Sequence, residues 1–155
     1  MPVQNHAALV GPAEADYETR LRALAQRLGI TGDVAFAGAL YDEEKLSALA
    51  AADLFVMPSL IESYGNAVAE AVAAGLPVLL TDTCGIAPAI HERAGLAVPL
   101  GVETLAHGLR TMLDPAERAR LTNRRGEVMS QLSWAEPLRQ MDEIYRSFAS
   151  ASDKH

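Results

Sequence analysis

The chain has 155 residues, half of them hydrophobic but only 5% aromatic, and its formal net charge is -7. The length suits one domain with a sizeable core, and the acidic balance argues against a broad nucleic-acid surface, which needs clustered lysine and arginine. The single cysteine excludes an intrachain disulfide and a cysteine-based zinc site. We see no signal-peptide pattern and no run of the ~18 apolar residues that a membrane span needs, so we expect a cytoplasmic protein.

Short apolar runs alternate with helical patterns as far as residue 100. Strands are predicted for five apolar runs, at 7–11, 33–38, 54–59, 77–82 and 95–100. Helices are predicted between them, at 14–28, 42–52 and 66–75, with a short helix or turn at 86–92. Asp42 is the expected N-cap of its helix, and the continuously apolar run 54–59 is expected to be buried on both faces of a sheet.

The rest of the sequence has a purely helical pattern. Three helical segments are predicted, at 102–113, 115–132 and 134–149, followed by a frayed tail at 151–155. Strands that alternate with helices indicate βαβ units and a parallel sheet, and such sheets bind ligands beyond the carboxyl ends of their strands. The loops after the predicted strands should therefore line one edge of the sheet, at 11–12, 38–42, 59–65 and 82–86.

Two carboxylates, Glu62 and Glu70, flank the start of an alanine-rich helix near Gly65 and Asn66. Free backbone N–H groups and a partial positive charge at a helix start favour phosphates, and a glycine there lets a ligand approach the backbone closely. Hydroxyl acceptors on either side of a phosphate site suit a nucleoside-diphosphate sugar, which has hydroxyls at both ends. Either glutamate alone could equally be a helix-end charge or a salt-bridge partner.

The stretch "PSLIESYGNAVAEAVAAGLPVLLTDTCGIAPAI" resembles the donor-binding half of GT-B glycosyltransferases, specifically the large retaining family 4. The shared pattern is a pair of glutamates with seven residues between them, an aromatic-glycine pair at Tyr64-Gly65, the segment "GLPV" and the turn "CGIAP". The resemblance extends from about residue 7 to about residue 148. It implies one α/β domain over 1–150, which corresponds to the C-terminal half of a GT-B fold. This domain would have a Rossmann-like parallel sheet flanked by helices and a C-terminal helical segment.

The resemblance also implies a function. Such enzymes transfer a hexose from a nucleoside-diphosphate sugar to a hydroxyl of a glycan, lipid or small molecule, without a metal cofactor, in carbohydrate or exopolysaccharide biosynthesis. Glu62 is the implied catalytic residue and sugar ligand, and Glu70 is the implied ribose ligand. The implied donor-binding residues are Glu62, Ser63, Tyr64, Gly65, Asn66, Ala67, Glu70, Gly11, Leu40 and Tyr41.

Parts of the family pattern are missing. Family members begin with an acceptor-binding domain, and the first strand of their donor domain is followed by an Arg and a Lys that bind the diphosphate. No such pair precedes residue 7. We therefore expect weak donor affinity, and we expect sheet edges that invite self-association. We interpret the chain as a shortened protein, a gene fragment or one subunit of a pair. We expect the full-length enzyme to act in the cytoplasm or at the inner face of the membrane.

Other functions remain open at this point. The chain could be a non-catalytic subunit that binds a sugar nucleotide and completes its site with a partner chain. It could be an inactive fragment, although the intact Glu62, Gly65 and Glu70 argue against that. A sugar-nucleotide epimerase with the same fold is the remaining alternative, and the glutamate pair with "ESYGNAVAE" argues against it.

Overall fold

The computed structural model describes residues 6–12 and 15–152. The chain divides into two compact units, the first ending at Ala48 and the second beginning at Leu49. Within the described residues, no helix is both long enough and apolar enough to cross a membrane.

The first unit contains two parallel strands and the helical segments that follow them. Its elements are β1 (Ala7–Val10), α1 (Ala15–Arg27), a short 3-10 helix (Thr31–Asp33) and β2 (Val34–Gly38), and helix α2 (Asp42–Ala51) contains the division. Leu9 lies opposite Phe36, and a register shift after Leu9 brings Val10 opposite Gly38. The Gly11 amide then donates a hydrogen bond to the Gly38 carbonyl at 2.8 Å.

The second unit contains a three-stranded parallel sheet and six helices among its described residues. Its elements are β3 (Phe55–Met57), α3 (Asn66–Ala73), β4 (Val78–Thr81), α4 (Ala87–Ile90), β5 (Gly95–Val98), α5 (Val102–Leu113), α6 (Pro115–Leu121), α7 (Arg125–Leu132) and α8 (Ala135–Ser152). The strand order is β3-β4-β5, with Val78 paired to Phe55 on one side and to Gly95 on the other. The predicted fold class, parallel sheet flanked by helices with a helical C-terminal segment, is confirmed.

The core of the second unit lies on both faces of β4. Val78 and Leu80 belong to one apolar cluster, which includes residues of α3, α4 and α7, whereas Leu79 belongs to a second cluster with residues of α5 and α6. The alternation follows from the two-residue period of a strand. Helix α5 approaches closely because Gly108 faces the sheet, where a Cβ atom would lie 2.8 Å from Leu79 Cδ1.

The prediction that the run 54–59 is buried on both faces is wrong. Strand β3 is half-buried at Phe55 and Met57 and exposed at Val56, while β4 is buried at all four positions. Within the described residues β3 pairs with β4 alone, so one of its sides has no neighbouring strand. Its apolar composition therefore does not produce full burial.

The predicted N-cap of the second helix is also wrong. The Tyr41 carbonyl accepts the amides of Glu44 and Lys45, which places Tyr41 at the capping position. Asp42 is instead the first residue of α2, with a φ of 44° in the left-handed region. The carbonyl of Tyr41, and not the carboxylate of Asp42, thus accepts the first amides of the helix.

Two boundaries in the helical segment differ from the prediction. The single helix predicted over 115–132 is two helices, α6 and α7, because the chain turns at Thr122 and the Arg124 amide donates to the Arg93 carbonyl at 3.1 Å. Helix α8 extends to Ser152, two residues into the predicted tail, and residues 153–155 lie outside the described residues.

Asp114 caps α6, and its replacement should destabilise the second unit. Its Oδ1 accepts the amides of Ala116 at 2.9 Å and Glu117 at 3.0 Å, so we expect Asp114→Ala to lower the free energy of unfolding by about 1 kcal/mol. Urea denaturation measures the change. Asp114→Asn keeps the acceptor oxygen and should cost a few tenths of that, whereas an equal loss in both variants would contradict the capping role.

Candidate donor site

The loop after β3 runs beside the turn after β4, at the carboxyl ends of both strands. The Glu62 amide donates to the Thr83 carbonyl at 3.3 Å, and the Glu62 carbonyl accepts the Gly85 amide at 2.9 Å. The Tyr64 carbonyl accepts the Ile86 amide at 2.8 Å. These bonds form a short parallel bridge, and they fix the loop that carries Glu62 to the edge of the sheet where ligands bind in this type of fold.

Two glycines allow this close approach. A Cβ atom on Gly85 would lie 2.1 Å from the Ser63 carbonyl oxygen, which is far inside contact distance. Gly65 has a φ of 107°, and a Cβ there would lie 2.9 Å from Ile86 Cγ2 and 3.0 Å from Cys84 Sγ. A side chain at either position would therefore push the loop and the turn apart.

Gly65 is also the N-cap of α3, so the helix begins without a capping side chain. Its carbonyl accepts the Ala69 amide at 3.1 Å. The first N–H groups of a helix have no intrahelical acceptor, and Asn66 and Ala67 lie in this first turn, exposed and half-buried respectively. The start of α3 can therefore bind an anion through backbone amides and the helix dipole.

The two carboxylates flank this helix start, as the sequence predicts. Glu62 is half-buried, and its Oε1 accepts the Tyr64 amide at 3.2 Å, which orients the carboxylate within the loop. Glu70 is half-buried and lies in the second turn of α3. Ser63 and Tyr64 are exposed. The loop and the helix thus bring the predicted residues 62–67 and 70 to one edge of the second unit.

The sequence profile of a known family matches this chain over residues 3–128, and the family is described as glycosyl transferases group 1. The chain belongs to this family. The D-inositol 3-phosphate glycosyltransferase of Corynebacterium urealyticum is 33% identical over 137 residues, which cover 86% of this chain and 32% of that protein. The Escherichia coli lipopolysaccharide glucosyltransferase WaaG is 36% identical over 111 residues, which cover 70% and 29% respectively. The chain therefore spans about a third of the length of these relatives.

Solved structures of similar proteins show the same fold. Sucrose-phosphate synthase from Thermosynechococcus elongatus superposes with a TM-score of 0.74 at 32% identity, over 93% of this chain and 38% of that chain. Anabaena HepE in complex with UDP-glucose superposes with a TM-score of 0.79 at 26% identity, over 94% and 42% respectively. These neighbours are GT-B glycosyltransferases, so the resemblance predicted from the sequence is confirmed.

Three of the predicted donor-binding residues of this group 1 chain lie in the first unit. The Gly11 amide is bonded to Gly38, Leu40 is half-buried, and the Tyr41 side chain is 67% exposed next to the start of α2. Their contact with a donor stays a prediction. The absence of a metal cofactor also stays a prediction. Within residues 6–12 and 15–152, no group of three or more His, Cys, Asp or Glu side chains is placed to bind a metal ion.

Cys84 is buried, as a small packed residue, beside the donor loop. Burial raises the pKa of its thiol, a hydrogen bond with the Ile86 backbone lowers it by less, and the negative charge of Glu62 raises it by the smallest amount. The thiol is therefore protonated at neutral pH, and it is inert as a nucleophile because the thiolate is the reactive form.

The raised pKa of Cys84 predicts a loss of stability in alkali. Because the folded-state pKa lies above the unfolded value, the contribution of the thiol is complete below the unfolded pKa and is lost as pH rises through the folded pKa. We expect the free energy of unfolding of the wild type to fall more steeply above pH ~8.5 than that of Cys84→Ala. Urea denaturation from pH 7 to pH 10 tests this, and parallel curves for the two proteins would contradict it.

The sequence did not identify the side chains that fix the donor loop to β4. Thr81 and Thr83 both donate hydrogen bonds to the Ser59 carbonyl. The signal available was a pair of hydroxyl residues on either side of Asp82, directly after a buried strand, but such residues are also common in turns. The exposed Asp82 begins the turn after β4, and its amide donates to the Val98 carbonyl of β5 at 2.9 Å.

Proposed function

We propose that this chain is the donor-binding part of a retaining glycosyltransferase that uses a nucleoside-diphosphate hexose. The observation that carries the proposal is the position of the Glu62 loop beside the glycine-capped start of α3. This arrangement occurs in a member of the group 1 family, and a structural neighbour, HepE, has been solved with UDP-glucose. A nucleoside-diphosphate sugar matches the site because it combines a dianionic centre with hydroxyls at both ends.

Each part of the site has a role in this proposal. The first amides of α3 bind the diphosphate, and Gly65 allows the phosphates to approach the backbone. Glu70 accepts hydrogen bonds from the ribose hydroxyls, and Glu62 accepts them from the sugar. The acceptor hydroxyl attacks the sugar from the face that the diphosphate leaves, and the leaving diphosphate takes the proton. The helix start stabilises the charge that develops on the diphosphate, which is the main electrostatic task of such a site.

The chain spans about a third of the length of these relatives. We propose that an N-terminal acceptor domain or a partner subunit supplies the acceptor site, and that this chain alone has no measurable transferase activity. The assembled enzyme would act in the cytoplasm or at the inner face of the membrane, without a metal cofactor. Turnover of UDP-glucose by the purified 155-residue protein would contradict the proposed inactivity.

Calorimetric titration with UDP, GDP and ADP, and with their glucose and mannose esters, tests the donor site. We expect one nucleotide base to bind, weakly, and we expect Glu70→Ala to abolish that binding. Glu117→Ala is the matched control, because Glu117 is an exposed carboxylate in α6 that pairs with Arg120, and such pairs contribute little to stability. If the wild type binds none of these ligands, the proposed donor site is wrong for this chain.

A further inference from the structure

The carbonyl oxygen of Ser59 accepts hydrogen bonds from two threonine hydroxyls. Thr81 Oγ1 and Thr83 Oγ1 each lie 2.7 Å from this oxygen, and they lie 3.0 Å from one another. A carbonyl oxygen has two lone pairs and each hydroxyl has one proton. Both threonines can therefore donate to Ser59 at the same time, and the single proton of Thr83 can alternatively be donated to Thr81 Oγ1.

These bonds join the beginning of the donor loop to the end of β4. Thr81 is the last residue of β4 and is fully buried, whereas Thr83 is exposed two residues later. Ser59 lies two residues after β3 ends at Met57. The two hydroxyls therefore set the distance between the carboxyl ends of β3 and β4 at the point where the loop leaves the sheet.

The middle of the loop has little apolar packing to fix it. The side chains of Leu60 and Ile61 are 73% and 88% exposed, so burial contributes little to the position of this segment. Beyond it, the Glu62 amide and carbonyl bond to Thr83 and Gly85. The path of the loop thus depends on polar contacts at its two ends, and Thr83 contributes to both of them, through its hydroxyl and through its carbonyl.

We propose that Thr81 and Thr83 are positioning residues of the donor site, whose hydroxyls set the position of Glu62 and of the Tyr64-Gly65 backbone. The inference rests on the proposed function, because it assigns the threonines to the same donor site. Neither threonine needs to touch the donor. They affect donor affinity by positioning the loop. This positioning should be lost in any variant that loses the hydroxyls while keeping the shape of the side chain.

Threonine-to-valine substitution makes this change, because valine has nearly the shape of threonine without the hydroxyl proton. We expect Thr83→Val to accelerate amide hydrogen exchange at Gly85 and Ile86, whose amides donate to the loop. Loss of one threonine hydrogen bond to Ser59 should make exchange about 5-fold faster. The double variant, with Thr81→Val as well, loses two such bonds and should exchange about 30-fold faster. Exchange at Leu79 and Leu80, inside β4, should not change. Thr83→Ser and Thr81→Ser keep the hydroxyl and should restore slow exchange.

The exchange experiment reports on the loop without any ligand, so it separates this inference from the proposed function. Faster exchange at Gly85 and Ile86, together with donor affinity reduced about 5-fold or more in Thr83→Val, supports the positioning role. Unchanged exchange in Thr83→Val overturns it, and so does wild-type donor affinity in a variant whose exchange is faster. If Thr81→Val does not fold, the exposed Thr83 position still decides the question. If the wild type binds no donor, the proposed function fails, and the role of the threonines in a donor site fails with it.

Discussion

Replacing Gly85 with alanine should destabilise the second unit and detach the donor loop from the end of β4. The added Cβ would lie 2.1 Å from the Ser63 carbonyl oxygen, 3.0 Å from the Ser63 carbonyl carbon and 3.4 Å from Tyr64 Cα. All three atoms belong to the backbone, so no side chain can rotate to make room. The loop must move away, and the bonds from the Gly85 amide to Glu62 and from the Ile86 amide to Tyr64 break as it does.

We expect Gly85→Ala to lower the free energy of unfolding by ~1–3 kcal/mol for the forced contact, and by about 1 kcal/mol more for each hydrogen bond lost. Urea denaturation measures this change, and titration with the nucleotide sugar that the wild type binds should show that donor binding is lost as well. Gly126→Ala is the matched control, because Gly126 lies in α7 and, among the described residues, an added Cβ there would have no atom within 4 Å apart from its chain neighbours and the backbone of its own helix. It should stabilise the protein by up to ~1 kcal/mol. A Gly85→Ala protein as stable as the wild type would show that the loop can move without cost.

The parts of the fold that were predicted correctly depend on local pattern. Strand β4 has three apolar residues before Thr81 and is buried at every position, and α5 has the bounds that its helical spacing indicates. The placement of Glu62 follows from the same logic, because a loop after a parallel strand must lie at the carboxyl edge of the sheet. These features depend only on neighbours in the chain and on the geometry of the sheet.

The features that were missed depend on neighbours that are distant in the sequence. Hydrophobicity shows that β3 can be buried, but it does not show which strands lie beside it. Val56 is exposed because, among the described residues, β3 pairs with β4 on one side only. The requirement for glycine at Gly85 depends on the Ser63 carbonyl. The importance of Thr83 depends on Ser59, 24 residues earlier. No local pattern contains such contacts, so the hydrogen bonds and close contacts that fix the loop at this edge could not be predicted from the sequence.

Glu62 and Glu70 should differ in which ligands they recognise, although both flank the same helix start. If uridine is the base that binds, Glu70 in the proposed site binds the ribose, which UDP and UDP-glucose share, whereas Glu62 binds the sugar, which only UDP-glucose has. We therefore expect Glu70→Gln to weaken both ligands by about tenfold, because charge-assisted hydrogen bonds are roughly twice as strong as neutral ones. We expect Glu62→Gln to weaken UDP-glucose to a similar extent and to leave UDP unchanged or slightly tighter, since a negative charge near the diphosphate is removed.

Glutamine is the informative substitution at position 62, because its Oε1 can still accept the Tyr64 amide that the Glu62 carboxylate now accepts. The loop should then keep its path, and a change in affinity reports on the charge alone. Calorimetric titration of UDP and UDP-glucose into both variants, with Glu117→Gln as the control, gives the four affinities. Equal weakening of UDP and UDP-glucose by Glu62→Gln would contradict the assignment, because it would mean that Glu62 acts on the helix start and not on the sugar. Weakening of UDP-glucose alone by Glu70→Gln would instead exchange the two roles.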